Sequence, residues 1–228
     1  MPRKVKESAQ QLQRRTVEIV ARLRKKIPSP RTALNFSDPL ELLVATILSA
    51  QATDVRTNEI TAHLFRKYRT AADYANADAA TLQEEIKASG FFRQKTKALM
   101  GVGRMLVEKF GGKVPETMEG LLELPGVARK TANVVLGSAM GKACGVVVDR
   151  HVARVATRLE LTAKADPAKI EQDLMAIVPR DQWIDFGHLL VLHGRSICVA
   201  RTPKCEQCVL NDICPSAFSF PSQKKKAR

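Results

Sequence analysis

The sequence predicts an all-α protein. Apolar residues recur at three- and four-residue steps in Leu12–Ile27, Leu99–Phe110 and Ile170–Val178, which is the period of an amphipathic helix. The segment Leu40–Ala50 is apolar on almost all sides and is expected to form a buried central helix. Only Val146–Val148 has the character of a β-strand, and no second run is evident as its partner.

The signals for helix starts and stops agree with this fold class. Asp38-Pro39 and Asp166-Pro167 each place a capping aspartate before a proline that suits the first helical position. Glycine favours the left-handed backbone that ends many helices. Helix ends are therefore expected at Gly90, Gly111, Gly112 and Gly194.

The charge balance is the unusual feature of the composition. The 228 residues include 37 Lys and Arg against 23 Asp and Glu, a net charge of +14. Most of the excess lies in residues 1–31 and 199–228. This pattern favours a polyanionic partner, nucleic acid before a membrane surface. A solubilising tail is the simpler interpretation for Lys224–Arg228.

The sequence predicts no membrane segment. The longest stretch without a charged residue, Leu42–Thr53, has twelve residues, against roughly 20 for a helix that spans a bilayer. The N-terminus enters polar sequence directly, without the apolar core of a secretion signal. We expect an intracellular, cytoplasmic protein, associated with the nucleoid if its source is prokaryotic.

The first candidate site is a hairpin within Leu124–Ala132. A helix over Met118–Glu123 is expected to end at Pro125-Gly126, and another to begin by Arg129. Small residues between them leave backbone N–H groups open, and such groups beside a helix N-terminus bind phosphate. On the local pattern alone, a plain turn between two helices is an equally good interpretation.

Lys130 adds a chemical interpretation of this hairpin. It falls in the first turn of the second helix, where the helix dipole and the adjacent Arg129 both disfavour a protonated amine. A neutral amine is the form that attacks carbon to give a Schiff base. A solvated or phosphate-binding side chain is the commoner role for an isolated lysine.

The second candidate site follows the apolar run Val146–Val148. Asp149 lies between this run and a helical segment, so it is expected to cap a helix N-terminus. A capping carboxylate at the edge of a cleft can also be catalytic, so the two roles are compatible. His151 is suited to contact a phosphate, although a structural role is the more ordinary one.

Four of the five cysteines lie within seventeen residues of one another. They are Cys198, Cys205, Cys208 and Cys214. Such crowding in a basic chain without a secretion signal indicates a metal rather than disulfides. One compact run of four thiolates favours a cubane iron–sulfur cluster over zinc. Arg201 and Lys204 lie between the first two cysteines and would form a basic lip.

Two further positions have two interpretations each. Gln51 follows the predicted buried helix, and is either an ordinary loop residue or a side chain that fills the gap left by an extruded base. Phe91 and Phe92 follow Gly90 directly, and are either core aromatics or wedges that stack against bases.

As a set, these residues resemble the endonuclease III family of DNA glycosylases. The similarity runs from about Leu34 to Cys214. It includes Leu34–Phe36, Leu48–Asp54, Leu124–Val135, Val148-Asp149, His193–Arg195 and the four-cysteine run. The resemblance implies a two-domain helix-hairpin-helix glycosylase fold, with a six-helix barrel domain over residues 32–143. Residues 1–31 and 144–228 would form the iron–sulfur cluster domain, with a basic C-terminal tail.

The resemblance also implies a function, that of a bifunctional glycosylase and abasic-site lyase in base excision repair. It would remove oxidised pyrimidines from duplex DNA and cleave the abasic strand by β-elimination, with Lys130 as the nucleophile and Asp149 as the catalytic carboxylate. The expected partner is double-stranded DNA with a damaged base or abasic site, the protein is expected to be a monomer, and one 4Fe-4S cluster is expected per chain. The implied DNA contacts are Gln51, Phe91, Leu124, Gly126, Ala128, Arg129, Thr131, His151, Arg195, Arg201 and Lys204.

Four residues depart from the family pattern. Ala128 replaces a glycine, and a left-handed backbone there would be strained by about 1 kcal/mol, although the hairpin is expected to survive. Arg150 replaces a common threonine, Phe91 replaces an aliphatic wedge, and Thr202 stands where a basic residue is often found.

Two other functions compete with this interpretation. An adenine-removing glycosylase of the same superfamily shares the cysteine spacing, but generally lacks the lysine and carries an additional C-terminal domain, whereas fourteen residues follow Cys214 here. A non-catalytic iron–sulfur protein that binds DNA would explain the cysteines and the charge. It would leave Lys130 and Asp149 without a role.

Overall fold

The computed structural model describes residues 7–220, which fold into two compact units. The middle unit runs from Thr32 to Cys144. The terminal unit combines the described residues up to Arg31 with those from Gly145 onward. The basic tail expected over Lys224–Arg228 lies outside the described residues.

The prediction of an all-α protein is confirmed for residues 7–220, whose regular structure is helical throughout. The run Val146–Val148 lies in a connection without regular structure. No described helix is both long and apolar enough to cross a membrane. The α-helices are α1 (Ala9–Lys26), α2 (Pro39–Leu48), α3 (Asp54–Lys67), α4 (Ala71–Ala75), α5 (Ala79–Ile86), α6 (Phe92–Phe110), α7 (Met118–Glu123), α8 (Arg129–Met140), α9 (Arg150–Arg158), α10 (Pro167–Ile177) and α11 (Trp183–Ser196).

The predicted helix starts are also confirmed. The Oδ1 atom of Asp38 accepts a hydrogen bond from the N–H of Glu41 at 2.9 Å, and Pro39 begins α2. Asp166 caps α10 in the same way, accepting from the N–H of Lys169 at 3.0 Å. Both aspartates therefore satisfy an amide that the helix leaves without an internal partner.

The middle unit is built around α2, where every residue from Leu42 to Leu48 is buried. This confirms the predicted central helix. Against it packs α6, whose apolar stripe Leu99, Val102 and Leu106 is also buried. On another side α6 approaches α4 closely, because a Cβ atom at Gly103 would lie only 2.6 Å from the carbonyl oxygen of Ala71.

The terminal unit places α1 in a core that comes mainly from the second half of the chain. Ile19, Val20 and Leu23 pack with apolar side chains of α9, α10 and α11. An ion pair joins Arg24 of α1 to Asp185 of α11, with 2.6 Å between Nη2 and Oδ2. Burial of the α1 stripe explains why the chain's first helix belongs to the same unit as its C-terminal part.

One predicted helix end is wrong. Gly194 lies inside α11, where a Cβ atom would come within 3.1 Å of Val155 Cγ2 and 3.2 Å of His151 Cβ. The glycine therefore lets α11 approach α9 and does not end the helix. Gly111 does have the left-handed backbone of a helix end, with φ of 59°, and Gly90, which follows a 3-10 turn, has a positive φ of 69° in an extended conformation.

The close approach of α4 and α6 makes Gly103 sensitive to one methyl group. We expect Gly103→Ala to lower the free energy of unfolding by about 1–3 kcal/mol or more, because the methyl group meets rigid backbone rather than a flexible side chain. Chemical denaturation measures the change. The neighbouring exposed Arg104→Ala is the control and should change stability by less than about 0.5 kcal/mol. Equal stability of the two variants would contradict the packing described.

Candidate functional site

The hairpin between α7 and α8 has the predicted position in the middle unit. Leu124 ends α7 and its side chain is buried, as is that of Val127. The N–H of Val127 donates to the carbonyl of Leu124 at 3.1 Å, which closes the turn. Gly126 has φ of 77°, and a Cβ atom there would lie 3.0 Å from Ala98 Cβ. Glycine is therefore required at this position both for its backbone angle and for the space.

The strain expected at Ala128 is absent. Its φ of −97° and ψ of 168° describe an extended backbone, which any residue adopts without penalty. The left-handed conformation belongs to Gly126 instead. The backbone strain expected at Ala128 was therefore wrong. The turn needs only one residue with positive φ, which is Gly126, and Ala128 is the extended residue that precedes α8.

The N-terminus of α8 has no side-chain cap. Ala128, at the capping position, makes no capping hydrogen bond with its side chain. Lys130 lies in this first turn with an exposed side chain, between exposed Arg129 and partly buried Thr131. The positive end of a helix, with two cations beside it, attracts a phosphate group.

Asp149 caps α9 in the terminal unit, as predicted. Its Oδ1 atom accepts hydrogen bonds from the N–H groups of His151 and Val152, at 2.7 and 2.8 Å. Among the described residues, no hydrogen bond reaches Oδ2. The helix thus holds the carboxylate in one orientation through one oxygen, and leaves the other oxygen for a different partner.

His151 is held beside Asp149 by arginines rather than by carboxylates. Its Nδ1 lies 3.2 Å from Nη2 of Arg154, and its Nε2 lies 3.4 Å from Nε of Arg150. Burial lowers the pKa of His151, and the neighbouring arginines lower it further while Asp149 opposes them. A neutral imidazole accepts at only one of its two ring nitrogens, so only one of these two contacts is a hydrogen bond from a guanidinium group to His151.

Gln51 and Phe91 share an uncommon backbone conformation. Both have positive φ, 58° for Gln51 and 49° for Phe91, and both side chains are exposed. A non-glycine residue in this region costs of order 1–3 kcal/mol and persists only where its surroundings hold it. Such strain concentrates at functional sites, which is consistent with the predicted roles of both residues.

The four cysteines of the terminal unit line a single cavity. Burial raises the pKa of the Cys208 thiol to about 11 and also raises that of Cys214. The thiolates that ligate metal therefore need compensating positive charge and hydrogen bonds. The N–H of Leu210 donates to Cys208 Sγ at 3.4 Å, and Arg158 Nη1 lies 3.3 Å from Cys198 Sγ. This donor set fits an iron–sulfur cluster, whose sulfur ligands are stabilised in the same way.

The basic side chains expected near the cysteines are on the surface. Arg195, in the last turn of α11, is exposed, as are Arg201 and Lys204. Thr202, which lies between them, is partly buried. These residues therefore belong to the terminal unit with Asp149, whereas Gln51, Phe91 and the hairpin residues belong to the middle unit.

Two arginines of α9 were not predicted. Arg158 donates to the carbonyls of Val199 and Ala200 at 2.7 and 2.6 Å, and Arg154 donates to the carbonyl of Gly194 at 2.8 Å. Arg154 therefore fixes the last turn of α11, just before Cys198, and Arg158 fixes the segment that directly follows Cys198. Their spacing of four residues puts them on one face of α9, but this signal alone does not identify a partner.

A third missed residue is Lys95 in α6. It is 5% exposed, and its Nζ donates to the carbonyl oxygens of Leu48 and Ser89 at 2.8 and 2.7 Å. Burial lowers the pKa of its ammonium group. The sequence does contain a signal, because Lys95 falls in the stripe that continues through Leu99 and Val102, a place where a charged residue is unusual.

Two family models match the chain. Residues 44–180 match the HhH-GPD superfamily base excision DNA repair protein model, and residues 198–214 match the iron-sulfur binding domain of endonuclease III. The second match begins and ends at Cys198 and Cys214.

Curated relatives named endonuclease III cover most of the chain. The protein from Synechocystis is 49% identical over 203 residues, which are 89% of this chain and 93% of the relative. The protein from Escherichia coli K12 is 41% identical over 198 residues, 87% of this chain and 93% of the relative.

Solved structures have the same fold. A trapped endonuclease III–DNA covalent intermediate has a TM-score of 0.86 and 35% identity, covering 91% of this chain and 97% of the other. A non-covalent endonuclease III–DNA complex matches equally well, with the same values. The predicted helix-hairpin-helix glycosylase fold is thereby confirmed, and the chain belongs to the endonuclease III family of HhH-GPD base excision DNA repair proteins.

Proposed function

We propose that this protein is a bifunctional DNA glycosylase and abasic-site lyase that removes oxidised pyrimidines from duplex DNA. Its family supports this function, and a relative of the same fold has been trapped as a covalent intermediate with DNA. The observation that carries the proposal is Lys130, an exposed amine in the first turn of the uncapped helix α8.

Lys130 is the nucleophile in this proposal. Its amine attacks C1′ of the damaged nucleotide, the bond from C1′ to the base breaks, and the base leaves with the bonding electrons and gains a proton. The sugar ring opens as the nitrogen forms a Schiff base with C1′. The N-terminus of α8, with Arg129 and Thr131, binds the nearby phosphates, as helix N-termini do.

Asp149 is the catalytic carboxylate. The oxygen that caps α9 fixes its orientation, and the other oxygen stabilises the positive charge that develops on the sugar as the base departs. The same oxygen takes part in proton transfer. Because its orientation is fixed in advance, the carboxylate does not have to reorient during the reaction, and it therefore stabilises the transition state more effectively.

Strand cleavage follows from the Schiff base. The iminium group makes the proton on C2′ acidic, and its loss expels the 3′ phosphate by β-elimination. Lys130 thus serves both activities, and hydrolysis of the product imine releases the enzyme.

The target nucleotide leaves the duplex before any of these steps, because its C1′ is inaccessible within the stack. In our proposal, Gln51 fills the space it vacates and Phe91 inserts at the opposite strand. Backbone phosphates are bound by Gly126 and Ala128, and by His151, Arg195, Arg201 and Lys204. The side chain of Leu124 is buried, so its contribution is limited to the shape and backbone of the hairpin.

We infer that Cys198, Cys205, Cys208 and Cys214 hold the 4Fe-4S cluster of the iron–sulfur domain, one per chain. When bound, the cluster would cross-link the segment from Cys198 to Cys214 and couple metal binding to its folding. Arg158 and His193 support this arrangement, because His193 Nε2 lies 3.6 Å from Cys208 Sγ and burial lowers the pKa of His193 to about 4. We place the enzyme at the nucleoid in the cytoplasm, as a monomer.

The competing functions are not favoured. An adenine-removing glycosylase without lyase activity would leave Lys130 unused, and a non-catalytic binder would also leave Asp149 without a role. The family and its covalently trapped relative favour the lyase.

Removing the amine tests the nucleophile. We expect Lys130→Ala to abolish both strand cleavage and the covalent protein–DNA adduct that borohydride traps, because reduction requires an imine. Lys97→Ala, which removes an exposed lysine of the same unit, is the control and should form the adduct normally. An adduct that persists in Lys130→Ala on denaturing gels would assign the chemistry to another amine.

Asp149 has two roles that substitutions separate. Asparagine is as good a helix cap as aspartate, so Asp149→Asn should keep stability and DNA affinity. Its single-turnover rate of base release should fall roughly 10²- to 10⁴-fold. Asp166→Ala, which removes the cap of α10, is the matched control and should lower stability by about 1 kcal/mol without slowing base release. A normal rate in Asp149→Asn would show that the carboxylate only caps.

Metal analysis tests the cysteine site. We expect the purified protein to be brown and to contain about four irons and four acid-labile sulfides per chain. Cys208→Ser should lose iron, and its terminal unit should unfold at lower temperature, since metal binding is coupled to folding. Cys144→Ser, which changes the cysteine of the middle unit, should keep both colour and stability. A colourless protein with one zinc would be incompatible with the cluster.

A further inference from the structure

Lys95 connects two turns that carry exposed side chains. Its ammonium group donates to the carbonyl of Leu48, the last residue of α2, and to that of Ser89, the last residue of a 3-10 turn. Gln51 follows Leu48 by three residues, and Phe91 follows Ser89 by two. The two non-glycine residues with positive φ in the proposed DNA-binding surface of the middle unit, Gln51 and Phe91, are thus tied to one buried side chain.

The contact is built to be specific. Leu48, Ser89 and Lys95 are 0%, 2% and 5% exposed, so water does not compete for these hydrogen bonds. The carbonyl of Leu48 lies at the end of α2, where the helix leaves its last carbonyls without partners and the dipole favours a cation. The backbone N–H of Lys95 donates to the carbonyl of Phe91, at 3.1 Å, which is the first hydrogen bond of α6. The side chain of Lys95 therefore starts one helical turn after Phe91, and its ammonium group supplies the link to the second turn.

Packing alone does not require a lysine here. Lys95 lies on the buried face of α6, in line with Leu99 and Val102, where an aliphatic side chain would fill the same space. The ammonium group adds hydrogen bonds that fix the position of one turn relative to the other. Burying its charge has a cost in free energy. In some proteins a buried polar group contributes more to selecting one geometry than to the stability of the fold.

We propose that Lys95 is a positioning residue that holds the Gln51 and Phe91 turns in one fixed arrangement, so that both side chains enter the duplex together when the target nucleotide is extruded. This inference rests on the proposed function, in which Gln51 fills the vacated space and Phe91 contacts the opposite strand. Lys95 touches neither DNA nor the reacting atoms in this scheme. Its effect is confined to duplex substrates, because a single strand offers no space to fill and no opposite strand.

The experiment compares two rates for each variant. The first is single-turnover base excision from a duplex with one oxidised pyrimidine, and the second is β-elimination at an abasic site in single-stranded DNA. For Lys95→Met, which keeps the aliphatic stem, we expect the duplex rate to fall roughly ten- to a hundredfold, the loss typical of small errors in position. The single-strand rate, per active site titrated with borohydride, should be unchanged.

Two controls separate positioning from damage to the fold. Lys97→Met changes an exposed lysine of the same helix and should leave both rates unchanged. Leu106→Ala removes a buried side chain of α6 and should lower Tm without changing the ratio of the two rates. If Lys95→Met lowers both rates in equal proportion, or neither, the proposal is wrong.

A variant cycle tests whether Lys95 acts through the two turns. In a Gln51→Ala, Phe91→Ala background, Lys95→Met should cause no further loss of the duplex rate, because residues that act as a unit are not additive. An additional loss of full size would contradict the proposal. Lys95→Arg retains donors and should recover part of the duplex rate. Should Lys95→Met not fold, Lys95→Gln replaces it, since its shorter side chain cannot reach both carbonyls.

Failure of the proposed function gives a different result. If the protein were not a lyase, the unmodified chain would not cleave the single-stranded abasic substrate, and no active-site titration would be obtained. If only the role of Lys95 is wrong, the unmodified chain cleaves both substrates and the ratio is the same in Lys95→Met.

Discussion

The backbone amides at helix N-termini are the constraint on which much of this structure depends. A helix leaves its first amides without internal partners, and a chain must satisfy them with a side chain or present them to a ligand. The N-terminus of α9 is satisfied by Asp149, whereas that of α8 is left without a side-chain cap beside Lys130. The two proposed catalytic residues therefore both lie at helix N-termini. Asp149 accepts hydrogen bonds from the amides of one, and Lys130 lies beside the positive end of the other's dipole. Between their ends, by contrast, the helices pack their apolar faces into the core.

A second feature is the way the core supports strained and exposed segments. Gln51 and Phe91 adopt a backbone that non-glycine residues avoid, and both lie next to buried structure that Lys95 fixes through hydrogen bonds. In the terminal unit, Arg158 holds the segment that directly follows Cys198. In both units a cation with backbone acceptors, rather than an ion pair, holds a functional segment. Carbonyl acceptors leave the surface charge unchanged, which suits a protein whose partner is a polyanion.

Local features were predictable from the sequence, and close approaches between distant segments were not. The caps at Asp38, Asp149 and Asp166 follow from residues within four positions of one another. Gly194 was expected to end a helix because glycine often does so. Its actual role is to let α9 approach, and α9 lies some forty residues earlier in the chain. Ala128 was expected to be strained because the sequence does not show that Gly126 alone takes the positive φ. Lys95 and Arg158 were missed since their acceptors are backbone carbonyls, which every residue possesses and no motif records.

The central claim is that one amine, that of Lys130, forms the bond to the sugar. The most direct test is to reduce the reaction of the unmodified protein with a lesion-containing duplex, digest protein and DNA, and locate the sugar remnant by mass spectrometry. The account predicts the remnant on Lys130, with Lys97, Lys113 and Lys142 of the same unit unmodified. A remnant on any other lysine, or on the N-terminal amine, would contradict it.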